Sequence, residues 1–180
     1  MIAALNVSCP GRVLPISERE HSMTQPSERR WNNHWVHFLA FGFGSGAAPK
    51  APGTFGTVAA IPVYLLLAQL PLVAYLVVLV LAFALGVYLC GQASKDMGVH
   101  DHGGIVWDEF VGFWITMIAV PVHWTLIVVG FLLFRFFDII KPFPIGWLDK
   151  RVHGGLGIMI DDVIAGLFAL AILQLILFLL

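Results

Sequence analysis

Residues 72–90 read LVAYLVVLVLAFALGVYLC, a run without one charged side chain. A bilayer core about 30 Å thick is crossed by about 20 helical residues, so this run has the length and character of a membrane span. The rest of the chain shares that character. Apolar residues make up 59% of it and charged residues 12%, with a mean hydropathy of +0.88. Soluble domains are about 45–50% apolar and about 25% charged. The surface of a soluble domain could not be built from this composition. Four more apolar runs, 55–70, 105–120, 124–140 and 163–180, accompany the first. The expected fold is an all-α polytopic membrane protein of about five transmembrane or partly re-entrant helices, with 55–70 and 105–120 short for a full crossing.

Residues 1–33 stand apart. Their apolar start is too short for a signal-peptide core, and no basic residue precedes it. They are expected to form a disordered N-terminal tail, with Met23 a candidate for the true start. Residues 34–180 are then a single membrane-embedded domain. The net charge of −1 gives no sign of a polyanion, so no nucleic-acid partner is expected. Cys9 and Cys90 lack the spacing of a metal or redox pair. The sequence sets no oligomeric state.

Basic residues orient the chain, because Lys and Arg concentrate on the cytoplasmic side of membrane proteins. Arg12, Arg19, Arg29, Arg30 and Lys50 precede the run 55–70, Lys95 follows the run 72–90, and Lys141, Lys150 and Arg151 follow the run 124–140. The connections at 69–71 and 121–123 hold neither Lys nor Arg. The N-terminus is expected in the cytoplasm and the C-terminus outside. The polar segments 42–54, 91–109 and 141–162 then share the cytoplasmic face.

Five carboxylates lie in or beside those segments: Asp108, Glu109, Asp138, Asp161 and Asp162. A charge at bilayer depth is costly and marks a functional site by default. Each has a structural alternative. Asp108–Glu109 and Asp161–Asp162 open apolar runs, where a carboxylate complements the helix dipole. Arg135, Asp138 and Lys141 are spaced by three and would share a helix face, so Arg135 and Asp138 suit a simple intrahelical pair. His100, Asp101 and His102 read as ordinary loop residues. The segment GFGSGAAPKAPGTFGT, residues 42–57, has too much Gly and Pro for a regular helix. Its glycines permit close backbone approach and an anion nest, and Thr54 or Thr57 is placed to cap the run that follows. It is not a P-loop, since the Gly-Lys-Ser/Thr order is missing. A plain loop at the membrane boundary is the alternative.

Three segments in order, GFGSGAAPKAPGTFGT, KDMGVHDHGGIVWDEFVGFWIT and FRFFDIIKPFPIGWLDKRVHGGLGIMIDDVIAG, closely resemble the phosphatidylglycerophosphatase A family, from about Trp35 to Gly166. The resemblance implies an Mg²⁺-dependent lipid phosphatase of the bacterial inner membrane. It would convert phosphatidylglycerophosphate to phosphatidylglycerol and phosphate at the cytoplasmic face. Mg²⁺ takes oxygen ligands, typically one or two carboxylates plus substrate phosphate. On this reading Asp108, Glu109, Asp161 and Asp162 form the metal site. Lys50, Gly53, Thr54, Arg135 and Lys141 hold the phosphate, and Asp138 orients Arg135 or acts as base. A small ion-coupled transporter is the alternative use of clustered carboxylates, although these lie at span ends and no internal repeat is visible.

Overall fold

The computed structural model describes residues 34–99, 102–149 and 151–179. The expectations for residues 1–33, Met23, His100, Asp101 and Lys150 fall outside them. All described residues belong to one unit, 31–180. Among them every regular element is helical. A short helix α1 (His34–Ala40) leads into a 3-10 segment, Gly42–Ala47. Then follow α2 (Pro52–Leu67), α3 (Leu72–Met97), α4 (Trp107–Thr116), α5 (Trp124–Ile140), the short α6 (Ile145–Asp149) and α7 (Gly155–Leu179).

Two helices, α3 with 26 residues and α7 with 25, are long and apolar enough to cross a membrane. The shorter α2 is also apolar. The run 105–120 contains a helix of only ten residues, about 15 Å long at 1.5 Å per residue. That is half of a bilayer core. All ten residues of α4 are buried, and α2, α3, α5 and α7 pack around it. Apart from Asp108 and Glu109 in its first turn and Thr116 at its end, WDEFVGFWIT is apolar, and a helix apolar on most sides belongs inside.

Small residues bring α4 and α7 together. A Cβ on Gly166 would strike the Gly112 carbonyl, and one on Gly112 would strike Phe134. Close backbone approach through small residues is the usual device where lipid removes the hydrophobic drive between helices. Polar side chains then bridge the helices. Trp107 donates through Nε1 to the Ala82 carbonyl at 3.0 Å, Trp114 to Ala60 at 3.1 Å, and the Tyr75 hydroxyl to Trp114 at 2.7 Å. Gly166→Leu is therefore expected to separate α4 from α7 and to cost about 1–3 kcal/mol or more by overpacking. The thermal midpoint of the purified protein measures this, and an unchanged midpoint would contradict the packing.

Three local expectations are corrected. The segment 42–57 is only partly irregular, since its last part, from Pro52, is the start of α2. Pro at the first helical position has a suitable φ and no N–H to satisfy. Thr54 and Thr57 do not cap α2. Ala51 in the left-handed region precedes Pro52, and Thr57 instead donates to the Gly53 carbonyl at 2.9 Å. Asp161–Asp162 does not precede the last apolar helix, because α7 begins at Gly155 and both residues lie inside it.

Candidate active site

Three elements converge on the carboxylates. Asp108 and Glu109 occupy the first turn of α4, and Asp162 lies about two turns into α7. One oxygen from each comes within 4.8 Å of the others. All three residues are buried, Asp162 to 3% exposure. Adjacent helical residues point about 100° apart, and Asp161 accordingly turns elsewhere. Its Oδ2 lies 2.5 Å from Lys141 Nζ, outside the trio.

Lys141 reaches Asp161 because it is not part of the α5 helix. It is the residue that ends α5, with φ +44, and Pro142 follows. A left-handed conformation costs a residue with a Cβ about 1–2 kcal/mol. The shared helix face expected of Arg135, Asp138 and Lys141 thus holds for the first two only. Arg135 Nη1 lies 2.5 Å from Asp138 Oδ2 and 3.8 Å from Glu109 Oε1. Arg135 is more than an intrahelical partner, since it joins α5 to α4. Asp138 also lies within interaction range of Asp162 and Glu109.

The Gly-rich segment meets this cluster at one point. Gly53, the second residue of α2, is buried where a Cβ would collide with Glu109 Oε1 and press on both terminal nitrogens of Arg135. Elsewhere the segment backs the approach to α4. Gly46 lies against the Gly104 carbonyl, and Gly42 and Gly56 against Val106. Lys50 is exposed, and Thr54 is half-buried with its N–H donating to the Ala51 carbonyl at 3.0 Å.

The donor set fits a hard divalent cation. All candidate ligand atoms are carboxylate oxygens, which is the preference of Mg²⁺. Among the described residues, Glu109 Oε2 and Asp162 Oδ2 are buried and accept no hydrogen bond. Among the described residues, the five carboxylates face two basic side chains, Arg135 and Lys141. Burying uncompensated charge costs several kcal/mol per ion, and a divalent cation would offset much of it. On the other side, Arg135 Nε is buried without an acceptor among the described residues, a donor available to an anion.

One pair was not foreseen from the sequence. His37 Nε2 lies 3.1 Å from Asp96 Oδ2. Only a buried histidine within the apolar α1 segment HWVHFLA hinted at it.

Comparison with known proteins bears on the same residues. A family profile described as phosphatidylglycerophosphatase A matches residues 38–177. The phosphatidylglycerophosphatase A of Escherichia coli (strain K12) is 52% identical over 154 residues, covering 85% of this chain and 89% of that protein. The protein of that name from Haemophilus influenzae is 51% identical over 139 residues, covering 76% of this chain and 85% of its own length. No solved structure matches. The span from Phe38 to Leu177 takes in the Gly-rich segment and all five carboxylates, and the chain belongs to the phosphatidylglycerophosphatase A family of enzymes.

Proposed function

We propose that this chain hydrolyses the terminal phosphate monoester of phosphatidylglycerophosphate, consuming water and releasing phosphatidylglycerol and inorganic phosphate, with Mg²⁺ as cofactor. The observation that carries the reading is the buried carboxylate trio beside an arginine with an unused donor. The family supports the substrate. No relative and no feature of the described residues favours the transporter alternative.

Asp108, Glu109 and Asp162 are the residues that would hold the cation. When bound, Mg²⁺ neutralises phosphate charge and orients the attacking group. Arg135 binds the phosphate through its free Nε edge, while Asp138 and Glu109 fix the guanidinium plane from the other side. Lys141 holds Asp161 and so keeps a second negative charge of α7 away from the phosphate. Gly53, in the first turn of α2, brings the positive end of that helix towards the anion, with Thr54 beside it although its N–H is already donated to the Ala51 carbonyl, and Lys50 adds charge at the mouth of the site.

The same reading places the protein in the bacterial inner membrane as a multi-pass enzyme. The N-terminus and the site face the cytoplasm and the C-terminus lies outside. The helices α2, α4 and α5 complete the bundle around the two long spans. The placement of Lys and Arg along the sequence supports this orientation.

Phosphate release by the purified protein in detergent tests the proposal. With phosphatidylglycerophosphate and Mg²⁺ release is expected, and with EDTA it is expected to fall to background. No release in Mg²⁺, or full release in EDTA, overturns the reading.

A further inference from the structure

We propose that His37 and Asp96 are positioning residues for the carboxylate trio, acting through the backbone that leads into α4. The inference rests on the phosphatase reading for its importance, though the Mn²⁺ arm of its test does not.

The pair lies outside the acidic cluster and joins two elements far apart in sequence. His37 is 5% exposed and lies in α1, just before the Gly-rich segment. Its Nε2 is 3.1 Å from Oδ2 of Asp96 in the last turn of α3. The other oxygen of Asp96 accepts from Gln92 Nε2 at 2.8 Å, so the carboxylate is held from two directions. A helix of seven residues such as α1 is far below the roughly 12–15 residues that sustain a helix alone. Its position depends on such contacts, together with the buried Val36 and Ala40.

From His37 the structure runs directly to the site. The His37 carbonyl accepts the Phe41 N–H at 2.9 Å, and the Ala40 carbonyl accepts the Val106 N–H at 2.9 Å. Val106 is the residue before α4, two positions from Asp108 and three from Glu109. Phe41 also packs on Gly104, which has no room for a side chain there. The end of α1 therefore sets where the first turn of α4 begins. That turn carries two of the three carboxylates, while Asp162 comes from α7. A small shift of α4 along this path would change the distance between the two sides of the trio. Groups that orient ligands from outside a metal site are typically worth about 10–100-fold in affinity or activity.

The test uses the full chain in detergent and Mn²⁺ alone as probe, with bound and free ion distinguished by electron paramagnetic resonance. His37→Phe keeps an aromatic ring and removes the nitrogen, and His37→Gln restores a donor. His37→Phe is expected to weaken Mn²⁺ binding about tenfold and to lower kcat more than it changes KM for the lipid. His37→Gln is expected to recover most of both. Wild-type affinity for Mn²⁺ in His37→Phe overturns the proposal. So does an equal loss in both variants that follows a fall in the metal-free thermal midpoint, since that is a folding defect. Wild-type protein that binds Mn²⁺ without releasing phosphate sinks the phosphatase reading alone, and the Mn²⁺ comparison still decides the role of His37.

Discussion

Asp162→Asn is expected to lower phosphate release by about a hundredfold or more, while the protein still inserts and purifies as a folded species. The size follows from the charge balance. Asp162 is the only member of the trio supplied by α7, and it faces Asp108 and Glu109 across the close α4–α7 contact. The amide keeps the volume and one oxygen, so packing is preserved. It removes the negative charge on which a hard cation depends, and neutral amides are weaker ligands for Mg²⁺. Loss of an outer residue that merely orients a ligand already costs about 10–100-fold, so loss of a ligand's charge should cost at least the upper part of that range. Folding should not suffer in the same proportion. With no metal ion present, the carboxylates outnumber the basic side chains Arg135 and Lys141 among the described residues, and deleting one charge relieves repulsion. A metal-free thermal midpoint at or above that of the wild type is expected, with its rise on adding Mg²⁺ reduced. Retained turnover in Asp162→Asn would remove this residue from the metal site.

That site was partly legible in the sequence, for a definite reason. Charges are rare in a chain of this composition, so each one placed against apolar sequence stood out. The apolar run 124–140 matches the bounds of α5, Trp124–Ile140. Pro121 and Pro142 fence it on both sides. The apolar run 163–180 marks only part of the last helix, because Asp161–Asp162 has the pattern of a boundary. Burial against α4 and the reach of Lys141 let the helix run through them. Neither cause is visible in the linear pattern. The depth of α4 is harder to infer, because beyond Asp108 and Glu109 the segment FVGFWI is uniformly apolar, a pattern that fits a buried helix as well as a short span. The His37–Asp96 pair left almost no trace. One histidine and one aspartate 59 positions apart carry no spacing signal, and only the fold shows that they meet.

Gly53→Ala separates two ways in which a glycine can serve an anion site. If Gly53 only offers its N–H, at the positive end of α2, alanine should be tolerated, because the N–H remains and alanine is the better helix former. The structure argues for a different role. A Cβ at this position would collide with Glu109 Oε1 and press on the Arg135 guanidinium at 3.0 and 3.1 Å. Neither group can easily move away. Glu109 is tied to the trio, and Arg135 is held by Asp138 at 2.5 Å. Gly53 is thus the space that lets α2 approach the Glu109–Arg135 pair. Gly53→Ala is expected to lower phosphate release by more than about tenfold and to cost about 1–3 kcal/mol of stability, as overpacking typically does. Lys50→Ala, three positions earlier on exposed backbone, should change activity only a few-fold, and more at low salt, as fits a screened surface charge. Parallel measurement of the two variants at low and high ionic strength checks both statements. Near-wild-type release from Gly53→Ala would mean that the pair tolerates displacement, and the role of Gly53 would then return to its N–H alone.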